Sequence, residues 1–152
     1  IRDVRAYIVG LAPETLRRAG FARALSNLLG ELRADRAAQF DIKVDDEAAA
    51  RLSPDQSLEV LQIAREAVSN ALRHGTASMI TLRMHEGDHE VCLLVQDNGS
   101  GFDPARLRAG GHGMSNMKAR ADRIGAGLRI TSQPGEGTRI LATLPILPPA
   151  AT

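Results

Sequence analysis

Aromatic residues are scarce in this chain of 152 residues, which has no tryptophan, one tyrosine and three phenylalanines. A stacking platform for single-stranded nucleic acid depends on several exposed rings, so this count argues against one. The net charge of +1 also gives no overall positive field of the kind that attracts nucleic acid or anionic membranes. We therefore expect no nucleic-acid partner.

Cysteine and long apolar runs are almost missing as well. The single cysteine, Cys92, excludes an internal disulfide, and its position in an apolar strand pattern favours a buried structural thiol in a reducing compartment. The sequence contains no run of about 18 apolar residues and no signal peptide. These absences favour a globular domain in a reducing environment.

The composition that is present, 43% hydrophobic and 24% charged, is ordinary for one globular domain with a short extension. The first ten residues place Ile1, Val4 and Ile8 on one helical face and predict the tail of a helix that ends near Gly10. Since this stripe has no partner nearby in the sequence, we expect it to pack against another helix. A chain that begins in the middle of such a pattern is expected to be a piece of a larger protein.

Hydrophobic periodicity predicts that helices and strands alternate through the rest of the chain. Helices are predicted over 21–38, 54–74 and 114–124, a short helix or turn over 47–52, and strands over 39–44, 77–85, 89–96, 128–131 and 138–144. Ser53 and Pro54 mark the start of the longest helix, because serine suits the N-cap and proline suits the first helical position. His85 and His89 flank a predicted hairpin as surface histidines.

A carboxylate and two glycines follow the strand over 89–96, in the stretch Asp97-Asn98-Gly99-Ser100-Gly101. Glycine has no Cβ, so a planar ligand could lie against this backbone beside a fixed carboxylate. Asn98-Gly99 is equally a strong signal for a tight hairpin turn. Taken alone, the stretch favours the turn.

The long helix carries a polar triplet opposite its apolar stripe. Glu66, Asn70 and Arg73 are spaced so that all three project from one face. Most such triplets are only a solvated polar face, but asparagine is a mediocre helix former and a poor choice for an ordinary mid-helix position. A carboxylate, a neutral oxygen and a guanidinium could orient water, hold Mg²⁺ and contact a phosphate.

A further glycine pair lies just before the helix that begins at Met114. The loop over 102–110 leads into Gly111-His112-Gly113, and glycines directly before a helix can present backbone N–H groups and the positive end of the helix dipole to a phosphate. The alternative is a flexible loop whose glycines only ease its turns.

The order of these three stretches closely resembles the ATP-binding domain of bacterial sensor histidine kinases, in the superfamily that includes gyrase B, the heat-shock chaperone ATPase and MutL. The long helix resembles the N box of that family, Asp97–Gly101 its first glycine box and Gly111–Gly113 its second. Gly135–Thr138 matches the position of a Gly-x-Gly-Thr turn. The likeness covers about residues 40–145, and the short loop and His112 are similar to the subfamily of nitrate/nitrite sensors.

The resemblance implies an α/β (α+β) two-layer sandwich of the Bergerat type, with about three helices over one face of a mixed sheet of about five strands. It assigns 1–20 to the end of a dimerisation and phosphoacceptor helix with its linker, 21–147 to the ATPase domain and 148–152 to a tail. The phosphoacceptor histidine would lie on a helix that this sequence lacks, because none of its four histidines has a helical acceptor context.

The resemblance also implies roles for individual residues. Glu66 would be the base or water-orienting residue near the γ-phosphate, and Asn70 would bind Mg²⁺; these two are the implied catalytic residues. Asp97 would accept a hydrogen bond from the adenine amino group. The implied contacts to the nucleotide are Asn70, Arg73, His74, Asp97, Gly99, Gly101, Phe102, Gly111, His112, Gly113, Met114 and Thr138, with Lys118 and Arg120 as weaker phosphate contacts.

The function implied is the binding of ATP with Mg²⁺ and donation of the γ-phosphoryl to a histidine on the protein's own dimerisation domain. From there the phosphoryl group would pass to the receiver domain of a response regulator. The intact protein would be a homodimer with this domain in its cytoplasmic part, and an anchor in the inner membrane is compatible with this arrangement. The alternatives are an anti-sigma-factor-type serine kinase, a non-catalytic nucleotide-binding module of the same superfamily, and a structural domain whose glycines only form turns. The predicted helix tail over 1–10 disfavours the first, and the presence of Glu66, Asn70 and Asp97 disfavours the second.

Overall fold

The computed structural model describes residues 20–32, 38–74, 77–103 and 112–146. The predicted helix tail over 1–10 and the predicted tail over 148–152 lie outside these residues. Most of the loop predicted over 102–110 lies outside them too.

Four helices and five strands follow one another along the described residues. In chain order they are α1 (20–32), β1 (Gln39–Val44), α2 (Asp46–Ala50), α3 (Pro54–His74), β2 (Met79–Gly87), β3 (Glu90–Asp97), α4 (His112–Arg123), β4 (Gly127–Ser132) and β5 (Thr138–Pro145). The predicted element types are confirmed, and the bounds of β1 and α3 agree with prediction at both ends. The end predicted for the first helix, at residue 38, is wrong, because Ala38 already leads into β1.

The five strands form one mixed sheet in the order β1-β2-β3-β5-β4. Only β1 and β2 are parallel, and α2 and α3 supply the crossover that a parallel pair requires. The core lies on one face of this sheet, because alternate residues of its central strands are buried against the helices. They are Ile80, Leu82 and Met84 in β2, Val91, Leu93 and Val95 in β3, and Ile140, Ala142 and Leu144 in β5. The predicted two-layer sandwich is confirmed.

The hairpin between β2 and β3 turns later than predicted. Its turn residues are Asp88 and His89, rather than 86–88, and Gly87 pairs with Glu90. The register is set by the buried face, where Met84 pairs with Leu93, since a slip of one residue would move every apolar side chain to the other face. As a consequence His89, not a glycine, adopts the positive φ of 54°.

Helix α3 is the element around which the helical layer is built. Its N-terminus is fixed by a capping box in which the Gln56 N–H donates to Ser53 Oγ (3.1 Å) and the Ser53 N–H donates to Gln56 Oε1 (2.9 Å). One side of the helix is fully buried against the sheet and its neighbours. The buried side consists of Val60, Leu61, Ile63, Ala64, Ala67, Val68, Ala71 and Leu72.

Helix α4 packs on α3. Glu59, near the start of α3, accepts hydrogen bonds from Arg120 (2.8 Å) and Arg123 (3.1 Å), which lie near the end of α4. From these contacts we infer that α4 runs antiparallel to α3, with its start beside the last turns of α3. This ion pair engages Arg120, and its predicted weaker contact to a phosphate stays a prediction.

Cys92 is half-buried rather than buried, because it lies on the uncovered face of β3. Burial, together with the neighbouring Glu90 carboxylate, raises the pKa of its thiol, so the thiolate is disfavoured. His85 and His89 are exposed, as predicted. Among the helices described, none is both long and apolar enough to cross a membrane.

Candidate functional site

A row of paired residues crosses four strands at one end of the sheet. Ile80 in β2 pairs with Asp97 in β3, Asp97 pairs with Thr138 in β5, and Thr138 pairs with Ser132 in β4. Residues directly opposite each other in antiparallel strands share a face, and here it is the face that the helices cover. Asp97 thus lies between an apolar side chain and a hydroxyl, at the edge of the core.

The Asp97 carboxylate is half-buried and held by backbone groups. The Gly99 N–H donates to Oδ1 at 2.8 Å, and the Thr138 N–H also donates to the carboxylate. Burial raises the pKa of Asp97 above the ordinary 3.8, and the two N–H donors oppose that rise. The result is a fixed acceptor group that retains lone pairs for a further donor.

Asn98 has a structural role that the sequence did not reveal. Its Oδ1 accepts from the N–H groups of Ser78 and Met79, both at 2.9 Å, and its Nδ2 donates to Ser78 Oγ at 2.9 Å. These bonds clamp the end of β3 to the start of β2. The hairpin interpretation, which Asn98-Gly99 favours only when the stretch is taken alone, is wrong, because β3 pairs with β2 and β5 and not with the next strand along the chain.

The polar end of α3 lies at the same end of the sheet as Asp97. Helix α3 ends at His74 and β2 begins at Met79, so the connection spans at most about 17 Å. Because Ile80 of β2 pairs with Asp97, the last turns of α3 and the end of β3 are close neighbours in the fold. The start of α4 lies there too, since α4 runs antiparallel to α3. The end of β3, the last turns of α3 and the start of α4 therefore lie towards one end of the molecule.

The polar triplet of α3 is only partly a helical ladder. Arg73 Nη2 donates to Asn70 Oδ1 at 3.3 Å, and Asn70 is half-buried while Arg73 is exposed. Glu66 stands apart from this contact, because its Oε2 is buried and accepts no hydrogen bond from any described group. Burying an oxygen without a hydrogen-bond donor lowers the stability of the fold by about 1–3 kcal/mol. A ligand that brings a donor or a cation to Glu66 Oε2 would remove this penalty.

The side-chain oxygens at this end of the sheet could bind a metal ion only together with oxygens of a bound ligand. Among the described residues there is no group of three His, Cys, Asp or Glu side chains that could hold a metal by themselves. Mg²⁺ does not need such a cage, because it commonly keeps several waters and takes one or two protein oxygens together with substrate phosphates. Asn70 Oδ1, held by one long hydrogen bond, is an oxygen of this kind.

Two glycines are required by backbone packing. Gly101 has a φ of 65°, and a Cβ added there would overlap the carbonyl oxygen of Gln133 in the β4–β5 turn. Gly137 has a φ of 77°, and a Cβ there would overlap the carbonyl oxygen of Asp97. The segment after β3 thus lies directly against the β4–β5 turn. This packing alone requires a glycine at position 101, and the predicted approach of a base to Gly101 stays a prediction.

The remaining predicted residues are placed as follows. Phe102 is half-buried and its N–H donates to Ser132 Oγ (2.9 Å), while Met114 is half-buried against the core. Of His74, His112 and Gly113 only the backbone is described, at the end of α3 and in the first turn of α4, and Gly111 lies outside the described residues. Their contacts to a nucleotide stay predictions.

A cleft of about 660 Å³ lies at the opposite end of α3. It is bounded by α1, α2 and the first turns of α3, with Phe21, Leu52 and Leu58 in its apolar wall. None of the described residues that line it belongs to the predicted site. The chemistry of the side chains, and not the size of a cavity, therefore locates the candidate site at the Asp97 end.

Comparison with known proteins agrees with the fold and the motifs. The family described as histidine kinase-, DNA gyrase B- and HSP90-like ATPase matches residues 55–148. The chain is 33% identical to the sensor histidine kinase LiaS of Bacillus subtilis, over 96% of this chain and 40% of that protein. It is 38% identical to the nitrate/nitrite sensor protein NarX of Escherichia coli, over 68% of this chain and 18% of that protein. The chain thus spans less than half the length of either relative.

A solved structure shows the same fold at low sequence identity. The histidine kinase domain from the blue-light activated histidine kinase of Erythrobacter litoralis EL346 matches with a TM-score of 0.68 at 20% identity. The match covers 84% of this chain and 60% of that one.

We expect Gly101→Ala to destabilise the domain by about 2 kcal/mol or more, because alanine is strained at this φ and its Cβ has no room. Gly30→Ala is the matched control: this glycine lies in α1 with open space around it, so alanine there should stabilise by about 0.5–1 kcal/mol. Urea unfolding of both variants measures the difference. Equal stability of the two variants would contradict the packing of Gly101 against the β4–β5 turn.

We expect the carboxyl of Asp97 to make the free energy of unfolding fall as the pH rises from 3.8 through its raised pKa, because the folded state binds more protons than the unfolded state in that window. Asp97→Asn should remove this trend. Asp41→Asn is an opposite control, since hydrogen bonding to Arg83 lowers the pKa of Asp41 and its stabilisation is lost as the pH falls. Urea unfolding of the three proteins between about pH 3 and 7 tests the signs, and a common slope would refute the assignment.

Proposed function

Because this chain belongs to the histidine kinase-, DNA gyrase B- and HSP90-like ATPase family, we propose that it binds ATP with Mg²⁺ at the Asp97 end of its sheet. We further propose that, in an intact dimeric sensor kinase, it donates the γ-phosphoryl to a histidine of the dimerisation domain. The observation that carries this proposal is the meeting of the end of β3, the polar end of α3 and the start of α4 at one end of the molecule.

In this proposal Asp97 recognises the base of the nucleotide. The N–H groups of Gly99 and Thr138 hold its carboxylate in one position, and it can accept from the exocyclic amine of adenine. The buried side chain of Ile80, paired beside it, offers an apolar surface at the same edge. A fixed acceptor next to an apolar wall suits a planar base that carries an amino group.

The phosphates would extend from Asp97 towards α3 and α4. The first turn of α4 can lend backbone N–H groups and the positive end of its dipole to them, and the exposed Arg73 can contact a phosphate oxygen. Asn70 would hold Mg²⁺, which when bound neutralises charge on the phosphates. Glu66 would orient the acceptor or take its proton, which gives its buried unpaired oxygen a partner.

The rest of the intact protein belongs to the proposal as well. Residues 1–20 would be the end of the dimerisation and phosphoacceptor helix with its linker, 21–147 the ATPase domain and 148–152 a tail. The acceptor histidine, a homodimer, the receiver domain of a response regulator and a cytoplasmic location beside an inner-membrane anchor are proposed from the relatives, since the chain spans only 40% of LiaS and 18% of NarX.

Asn70→Ala should weaken the binding of ATP roughly tenfold or more in the presence of Mg²⁺, because a metal ligand is lost. Binding of ATP in EDTA should change less than about twofold, since it does not depend on that ligand. Isothermal titration with Asn27→Ala, an exposed asparagine of α1, as control measures both. If wild type binds no ATP under either condition, the proposed function is wrong; if both variants respond alike, only the metal assignment is wrong.

Glu66→Gln separates nucleotide binding from phosphoryl transfer. With a separately produced dimerisation domain of a sensor kinase and γ-labelled ATP, we expect wild type to label the acceptor histidine and Glu66→Gln to do so about a hundredfold more slowly. Its affinity for ATP should stay close to that of wild type, as should both properties of Glu31→Gln in the exposed part of α1. A wild type that binds ATP and never labels the acceptor would be a non-catalytic nucleotide-binding module.

A further inference from the structure

The cleft at the start of α3 combines an apolar wall with exposed carboxylates. Phe21, Leu52 and Leu58 form the wall, and Asp46 and Asp55, which also line the cleft, are exposed. No lysine or arginine is among the described residues that line it. The ion pairs within the described part of the chain lie elsewhere, so neither carboxylate has a basic partner there.

A concave apolar surface of this kind usually marks a contact with another group. Its volume of about 660 Å³ is in the range that encloses a bound ligand or a few side chains. Leu52 and Leu58 are only half-buried there, so an apolar group that entered the cleft would remove both from water. The two carboxylates favour an occupant that also carries positive charge.

The chain itself leads into this cleft. Gly20, where α1 begins, is one of the lining residues, and residues 11–19, which lie outside the described residues, come directly before it. This segment contains Leu16 followed by two arginines, Arg17 and Arg18. It thus carries both the apolar side chain and the positive charge that suit the cleft.

The short tether favours this segment over a separate molecule. Leu16 is four residues from Gly20, so it stays within about 14 Å of the edge of the cleft. A group tethered so closely has an effective concentration roughly in the millimolar range, which a second copy of the chain or another protein does not reach in dilute solution. Exposed ion pairs contribute little energy, so the arginines orient the segment more than they hold it.

We propose that the cleft is the docking site of the chain's own residues 11–19, with Leu16 against the apolar wall and the two arginines beside the two carboxylates. Docking there holds the residues that precede the segment at the start of α3, which is the end opposite Asp97. Because the cleft contains no residue of the candidate nucleotide site, this docking does not depend on the proposed function.

A tryptophan at position 16 tests the docking in the full chain, because the sequence has no tryptophan of its own. We expect Leu16→Trp to emit at short wavelength at every protein concentration, since the indole is buried against the wall. Adding Leu58→Asp should shift the emission to longer wavelength and raise quenching by acrylamide several-fold, because the wall becomes polar. Adding Leu94→Asp, which alters a half-buried leucine on the uncovered face of β3, is the matched control and should change neither.

Three results would overturn the proposal. The first is the emission of a solvent-exposed indole in Leu16→Trp, and the second is an equal response to Leu58→Asp and Leu94→Asp. The third is burial of the indole that appears only at high protein concentration, which would assign the cleft to a second copy of the chain. Urea unfolding checks that each variant is folded.

A disulfide gives a measurement that does not depend on a bulky indole. In a Cys92→Ser background, Leu16→Cys and Leu58→Cys supply the only two thiols of the chain, and these can bond only if their Cα atoms come within about 7 Å. We expect mild oxidation to join them within one chain. The control pair, Leu16→Cys with Met79→Cys at the Asp97 end of the sheet, should stay reduced. A bond between two chains, or equal oxidation of both pairs, would contradict the docking.

Charge reversal tests the part played by the carboxylates. In Leu16→Trp, the added changes Asp46→Lys and Asp55→Lys should increase quenching by acrylamide, because the arginines then face like charges. Further addition of Arg17→Glu and Arg18→Glu should reverse that increase. An increase that these last two changes do not reverse, or no increase at all, would contradict the placement of the arginines.

These experiments use no nucleotide, so their outcome is separate from that of the proposed function. A chain that docks residues 11–19 and binds no ATP contradicts only the proposed function. A chain that binds ATP with position 16 exposed contradicts only the docking.

Discussion

A carboxylate can be kept half-buried at a strand end only if N–H groups are brought to it, and the Asp97 end of this sheet is built around that requirement. One donor, the Gly99 N–H, comes from the residues directly after the strand, and the other, the Thr138 N–H, comes from the start of β5. The segment after β3 and the β4–β5 turn must therefore lie against each other. Their contact leaves no room for a Cβ at Gly101 or Gly137. Holding the Asp97 carboxylate in this way therefore also requires glycine at one position in each of the two segments.

The same end of the sheet is fastened from both sides. Asn98 clamps it to the start of β2, where the chain returns from α3, and Ser132 clamps it to β4 and β5. Because both clamps are hydrogen bonds between groups distant in sequence, the position of Asp97 relative to α3 depends on the whole sheet. A site of this kind is preorganised: its polar groups already have fixed directions before a ligand arrives.

Helix α3 has a buried apolar side that the core requires and a polar end that does not contribute to the core. Its buried side and its capping box anchor it along its length, while Glu66 leaves one buried oxygen without a described partner. Such a cost is expected at functional sites, where local rules of stability are broken for another purpose.

Periodicity and capping signals determined the elements of this protein, because a helix or strand depends on residues close together in the chain. The bounds of β1 and α3 could be predicted in this way, and the order of Glu66, Asn70, Asp97 and the glycines before α4 was enough to identify the family. Tertiary structure alone decided which groups meet: Arg120 pairs with Glu59, Asn98 bonds to the start of β2 instead of making a hairpin, and Ser132 joins Phe102 to Thr138. Arg120 and Glu59 are 61 positions apart, Phe102 and Ser132 are 30 apart, and Asn98 and Met79 are 19 apart. Local preference has no information about which distant group the folded sheet will bring into reach.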